Sequence, residues 1–231
     1  MSNFLELLEN LGVRIEPGLL DLALTHRSYA YEHGQIPNNE RLEFLGDAVL
    51  SVVVTEYLYR AYPDFPEGRL AKLRAAVVSA VSLGDVARGL DVGAMVKLGK
   101  GEVFTHGDNK TSILADTMEA LIGAAYITEP AGARRLVDAV FQPLVDEAVE
   151  LGSGLDWKTA LQELVAVNAL GSISYQVSES GPDHDKVFTA RVLIGARSFE
   201  SGSGHSKKHA EQIAAENAAR ALSAEGYSAE N

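Results

Sequence analysis

Two pairs of carboxylates sit in unusual surroundings. Glu43 and Asp47 lie four residues apart in NERLEFLGDAVL (39–50), and Asp116 and Glu119 lie three apart in ILADTMEALIGAAYI (113–127). Both spacings bring side chains onto one helical face. Asp116 and Glu119 are the only charged residues of their segment, and the apolar run AVLSVVV follows Asp47. A bare carboxylate in apolar surroundings must be protonated, paired or metal-bound. No Lys or Arg lies within 113–127 to pair with the second couple. An isolated acidic turn is usually a solvated face or a helix start. Two such turns, each embedded in apolar helix, favour a shared metal site instead. Hard oxygen ligands without sulfur suit Mg²⁺, or Mn²⁺ as its substitute. Such ions support phosphodiester hydrolysis by activating water and stabilising the leaving oxygen. Glu40 falls within roughly 60° of Glu43 and Asp47 around a helix and reads as a supporting acid. Glu67, in PEGRL, either supports the site or caps a helix start.

The elements that must carry these groups are helices. Apolar residues recur at three and four residues across 42–59, 70–81, 113–126 and 133–149, the helical period. YPDFPEG (62–68) and LGKGEVFTHGDNK (98–110) are turn signals, and strand-like alternation is nearly absent from Phe4 to Glu150. In the first acidic helix Leu42, Leu45, Val49, Val52 and Val53 gather opposite the acids and form the expected core stripe. AVLSVVV is apolar all round, so the acidic side leads into the interior. Gly46 in mid-helix costs about 1 kcal/mol relative to Ala, which points to close approach by another backbone or a ligand. Phe44 falls nearer the acids than the apolar stripe.

Past the GSG at 152–154, read as a short flexible joint, the pattern changes. This divides the chain into domains 1–151 and 155–231. Lys158–Asn168 reads as a helix, and SISYQVSE (172–179) alternates with Ile173, Tyr175 and Val177 on one face. A second strand, Val187–Ile194, meets a third, Arg197 to about Ser203, through Gly195-Ala196, a link suited to a type II′ hairpin. The last helix carries a stripe of mostly small residues, Ala210, Ile213, Ala214, Asn217, Ala218, Ala221 and Leu222, suited to lying close on a sheet. The expected fold is an all-α domain followed by an α+β domain in the order α-β-β-β-α.

Composition bounds the function. With 231 residues and 46% hydrophobic content, the chain is globular and long enough for two domains. No apolar run approaches the ~18 residues a membrane span needs. The start, MSNFLELLENLG, lacks the basic-then-apolar pattern of a secretion signal, and the absence of cysteine excludes disulfides and thiolate metal sites. A cytoplasmic protein without a membrane partner is expected. The net charge of −12 weighs against nucleic acid, unless bound cations neutralise the acids while basic groups gather locally. Lys207 and Lys208 are one such gathering. At a helix N-terminus they oppose the macrodipole by about 0.3–1 kcal/mol each, a cost that an arriving phosphate would offset.

NERLEFLGDAVL, LTHRSY (24–29), PEGRLAKLRAAVVS (66–79) and KTSILADTMEALIGAAY (110–126) resemble motifs of the bacterial ribonuclease III family, in family order, and the resemblance spans essentially the whole chain. It implies a helical endonuclease domain in which Glu43, Asp47, Asp116 and Glu119 hold Mg²⁺ and activate water. Asp47 and Glu119 would be the most directly catalytic. Glu40 and Glu67 match acidic positions around the cleavage valley. The resemblance further implies a homodimer with one cleavage centre per subunit, in which Phe44 plugs a cavity of the twin subunit. The second domain, with GPDHDKVF (181–188) and KKHAEQIAA (207–215), resembles the double-stranded RNA-binding domain, a module that reads A-form shape across minor grooves. By that resemblance Gln162 and His184 touch minor grooves, and Lys207 and Lys208 grip phosphates. Asp183 and Asp185 beside His184, and Ala166 one turn after Gln162, imply weaker binding or altered site preference. The implied activity is hydrolysis of both strands of double-stranded RNA to 5′-phosphate and 3′-hydroxyl ends, acting on ribosomal RNA precursors and structured messenger RNA. A non-cleaving regulator that binds double-stranded RNA would lose the carboxylates. A hydrolase of small phosphate compounds would leave the second domain idle.

Overall fold

The computed structural model describes residues 2–150, 156–182 and 186–228, and the chain divides into two compact units between Gly154 and Leu155. The expected joint at 152–154 and His184, with its flanking Asp183 and Asp185, lie outside the described residues.

The first unit is helical: α1 (Asn3–Asn10), α2 (Pro17–Ala23), α3 (Arg27–Glu32), α4 (Glu40–Ala61), α5 (Glu67–Val77), α6 (Ala80–Gly89), α7 (Lys100–Phe104), α8 (Thr111–Thr128) and α9 (Pro130–Glu150). Helix α8 lies at its centre. It buries Ile113, Leu114, Ala115, Met118, Ala120, Leu121, Ile122, Ala124 and Ala125, as a helix apolar on every side must. Helices α4, α6 and α9 pack on it. The expected helix over 70–81 is two helices, because the Ser79 side chain accepts from Ser82 N–H and starts α6, the role Ser is best at.

The buried side of α4 agrees with the expected stripe at Leu42 and Val53 and otherwise turns toward the flank that carries the acids, where Gly46, Leu50, Val54 and Leu58 are buried. Leu45 and Val49 are half-buried, and Val52 is 65% exposed. Hydropathy ranks both sides of α4 alike, and Gly46 breaks the tie. Only the glycine side lets a neighbouring backbone come close.

The second unit comprises α10 (Trp157–Val167), β1 (Ile173–Ser180), β2 (Val187–Ile194), β3 (Arg197–Ser198), β4 (Gly202–Gly204) and α11 (Lys207–Ala224). Its sheet is antiparallel. Strand β1 pairs β2 from Ile173↔Ile194 to Ser180↔Val187. The β2–β3 hairpin closes on Ile194↔Arg197 around Gly195, whose φ of +57° is the positive value that a type II′ turn requires at its first central residue. The expected third strand is interrupted. Register runs Leu193↔Ser198 and then Ala190↔Gly202, so the returning chain carries one extra residue, a bulge. Helix α11 buries Ala210, Ala214, Ala215, Ala218, Ala219 and Leu222 on the sheet, while Ala221 is exposed and Ile213 and Asn217 lie at the margin. Of the expected β1 face, Ile173 and Tyr175 pack on the core and Val177 is exposed.

Candidate metal centre and nucleic-acid interface

Helices α4 and α8 meet at two glycines. A Cβ on Gly46 would stand 1.8 Å from Glu119 O, and one on Gly123 would stand 2.3 Å from Leu42 O. No other residue permits this approach. Backbone contact at the crossing draws the acidic turns of the two helices together. The start of α4 is set independently by Asn39, which is buried; its side-chain amide donates to Ala23 O (3.3 Å) and its backbone N–H to Thr25 O (3.0 Å).

Glu43, Asp116 and Glu119 thereby offer ligand oxygens that all lie within 4.8 Å of one another, and all three side chains are half-buried. Asp47 is exposed and outside this trio. Burial pushes the Glu119 carboxyl up to about 7, helped by the charges of Asp47, Glu43 and Asp116. Burial, then Asp116 and Glu40, raises Glu43 against the opposing pull of Arg27. Burial also raises Asp116, while His26 and Arg27 pull it down. Among the described residues, no ion pair involves Glu43, Asp47, Asp116 or Glu119. Arg27 instead reaches Glu40 (3.7 Å), which also accepts from the Asn38 amide (3.0 Å). Glu43 and Asp116 raise Glu119, and Asp116 raises Glu43, so full ionisation of this all-oxygen cluster calls for a cation. The donor set fits a divalent ion that prefers oxygen.

The other expected residues occupy distinct places. Glu67 is exposed at the first position of α5 and makes no side-chain cap. Phe44 is 82% exposed and, with Leu22, Ile36, Pro37, Arg41 and Ile127, lines a groove of about 890 Å³. In the second unit Gln162 is exposed on α10, opposite the buried Leu161, Leu164 and Val165. Lys207 and Lys208 are exposed in the first turn of α11, where Ser206 accepts from His209 N–H (3.2 Å). Bonds from Lys158 Nζ to Glu211 Oε2 and from Gln212 Nε2 to Asp156 Oδ1, each 2.7 Å, tie α10 and its cap to α11. They fix the turn of α10 before Gln162 against the turn of α11 after the lysines. Gly123 was not among the expected residues. Its signal was the same as that of Gly46, a glycine inside an otherwise strong helix.

Residues 16–147, more than half of the chain, match the ribonuclease-III-like family, and residues 157–222 match the double-stranded RNA binding motif. Ribonuclease 3 of Streptomyces coelicolor is 56% identical over 215 residues, covering 93% of this chain and 78% of that protein. Ribonuclease 3 of Thermobifida fusca is 57% identical over 220 residues, covering 95% and 92%. The nuclease domain of ribonuclease III from Campylobacter jejuni has a TM-score of 0.53 at 37% identity, over 64% of this chain and 96% of that one. A second structure of that domain (TM-score 0.52, 39% identity, 59% and 96% covered) concerns flexibility in a region involved in its dimer formation. The chain belongs to the ribonuclease III family, as an endoribonuclease that carries a double-stranded RNA-binding domain.

Proposed function

We propose that the protein is a Mg²⁺-dependent, homodimeric endoribonuclease that cuts both strands of double-stranded RNA in the cytoplasm, leaving 5′-phosphate and 3′-hydroxyl ends with a short 3′ overhang. Ribosomal RNA precursors and structured messenger RNA are the proposed substrates. The observation that carries this reading is the convergence of Glu43, Asp116 and Glu119 without a counter-ion. These three would hold the ion, with Mn²⁺ as a substitute. The chemistry it supplies when bound is Lewis acidity toward the scissile phosphate and acidification of the attacking water.

The chain's own groups do the rest. Glu119, raised to about 7 by burial and its acidic neighbours without an ion, would be ionised by the ion it holds and would help place the attacking water. Asp47 stands beside it at the exposed edge, where it can orient water. Glu40 steadies Arg27 and, with Glu67, lines the valley. Residues 1–151 would form the nuclease and residues 155–231 the duplex-capturing domain, in which Gln162, His184, Lys207 and Lys208 contact RNA. Phe44 is the proposed dimer plug. The exposed Val52 and half-buried Leu45 and Val49 on the same helix support an apolar contact between copies.

The test is cleavage of a long RNA duplex with Mg²⁺ by the intact protein and by Glu119→Ala. The variant should lose at least about 10³-fold in rate and still bind duplex. Binding without cutting by both proteins would instead support the non-cleaving regulator.

A further inference from the structure

The turn YPDFPEG, which leads into Glu67, is held more firmly than a surface turn requires. Tyr57 and Tyr62, near the end of α4, both donate their phenol O–H to Asp146 Oδ1 on α9, at 2.7 and 2.6 Å. Their rings meet edge-on with centroids 6.5 Å apart, and Tyr62 stacks on Phe65 at 4.9 Å. The Arg69 guanidinium lies 3.4 Å from the Phe65 ring centroid. Its Nε is buried with no hydrogen-bond partner, so the ring, not a polar contact, holds that end of the side chain. Burial and the Asp146 carboxylate push both phenols up, Tyr57 to about 12, so both remain donors. Phe65 N–H closes the turn on Tyr62 O at 3.1 Å.

Helix α5, by contrast, starts on Pro66 without any side-chain cap. The orientation of its first residue, Glu67, depends on what holds the turn. Stability alone would be served by phenylalanines over an apolar residue, with no carboxylate to desolvate. Two directional bonds converging on one oxygen fix the rotation of the turn as well as its distance from α9. We propose that Tyr57, Tyr62, Phe65 and Asp146 are positioning residues that aim Glu67 at the scissile region of the duplex. This rests on reading Glu67 as a supporting acid of the cleavage site.

The test is a double-mutant cycle on the full chain, read as single-turnover cleavage of a saturating RNA duplex with Mg²⁺. Asp146→Ala should slow cleavage about tenfold while duplex affinity stays within about twofold. In a Glu67→Gln background it should cost less than about twofold further. Asp146→Asn, which keeps an acceptor for the phenols, should restore most of the rate. Tyr62→Phe, which keeps the stacked ring, should show a smaller loss with the same background dependence, and it carries the cycle if Asp146→Ala does not fold. Equal proportional losses in both backgrounds, or undiminished rates in both single variants, would overturn the proposal. An undiminished rate in Glu67→Gln alone would remove the reading of Glu67 beneath it, an outcome visible separately.

Discussion

Both units rely on a glycine to bring two elements into backbone contact, but they handle charge in opposite ways. In the nuclease unit Gly46 and Gly123 press α4 onto α8 and leave three half-buried acids with oxygens within 4.8 Å of one another, Glu119 raised by the other two. In the RNA-binding unit Gly202 lets α11 settle on β4, where a Cβ would stand 2.4 Å from Ala214 N, and Lys207 and Lys208 remain exposed. The first arrangement couples chemistry to the fold, since what brings the acids together also strains them. The second separates the two. Its apolar face holds the fold, and of these two lysines only Lys207 touches it, with Nζ 5.9 Å from the Phe188 ring centroid.

Glycine substitutions should expose that contrast most strongly. Gly46→Ala puts a methyl group into the Glu119 carbonyl, a backbone atom that cannot rotate away. It should destabilise the nuclease unit by about 3 kcal/mol or more and, because Glu119 shifts with the crossing, cut the cleavage rate at least about 100-fold. Gly202→Ala should cost about 2–3 kcal/mol in the other unit and weaken duplex capture while sparing the turnover of bound RNA. Thermal unfolding together with single-turnover cleavage distinguishes the two. If Gly202→Ala also abolished the chemical step, the proposed separation would fail.

The coupling also has a pH signature. The folded-state value of Glu119, about 7, lies above the ordinary carboxylate value of 4.5. The protonated form is therefore favoured by folding, and its contribution is complete below the ordinary value. It is lost as pH rises through the window between the two. In chelator, stability of the nuclease unit should fall by about 2–3 kcal/mol from pH ~5 to pH ~8. Glu119→Gln should remove most of that fall, and Mg²⁺ should reverse it by binding the ionised cluster. Denaturant titrations at several pH values, with and without Mg²⁺, measure all three. A pH-independent stability would mean that the acids do not share a site.

The acids were legible in the sequence because burial of charge is a local contradiction, visible wherever Asp116 and Glu119 interrupt an apolar helix. Gly46 was legible as an anomaly, but its partner Gly123 was not, because sequence flags a close approach without saying what approaches. The side of α4 that faces the core was legible only at Leu42 and Val53, for a related reason. Leu45, Val49 and Val52 are as apolar as Leu50 and Val54, and only the crossing with α8 decides between them. The break at Ser79 was hidden because the apolar spacing continues through a cap that replaces two residues of helix. The bulge between Ser198 and Gly202 shifts register without changing residue type. It therefore leaves no trace in the pattern, and Val177 lies where β1 outruns its cover.

Charge on the RNA-binding unit should act in a graded way. Lys207→Ala and Lys208→Ala should each weaken duplex binding about three- to tenfold near physiological salt and lower the salt dependence of log K by about one. Cleavage of saturating RNA should stay unchanged, and the unit should melt slightly later, since each lysine opposes the dipole of α11. Filter binding across a salt series reads the slope directly. If either lysine altered the cleavage rate at saturation, its role would extend beyond capture, and the contrast between the units would narrow.

The smallest effect tests whether the RNA-binding unit is as relaxed as its exposed charges suggest. Helices α1 and α10 end in the same motif. Gly12 and Ala169 donate backbone N–H bonds to Glu9 O and Ala166 O, and Val13 and Leu170 donate to Leu8 O and Val165 O. The residue at the bend has φ of +60° at Gly12 but +51° at Ala169, a left-handed conformation that strains any side chain with a Cβ. So the second unit stores strain at this helix end where α1 uses glycine, and the first unit stores the same strain at the end of α6, where Asp91 has a φ of +54° and the same two bonds recur. Ala169→Gly should raise the stability of the RNA-binding unit by about 0.5–1 kcal/mol, and Gly12→Ala should cost the nuclease unit about as much. Denaturant midpoints of the two transitions measure both. Cleavage and duplex binding should remain as they are, since Gly12→Ala keeps the backbone carbonyl that accepts from Arg135 Nη2 (3.1 Å). A change in either would mean that helix ends and function are linked in this protein by a route other than the two crossings.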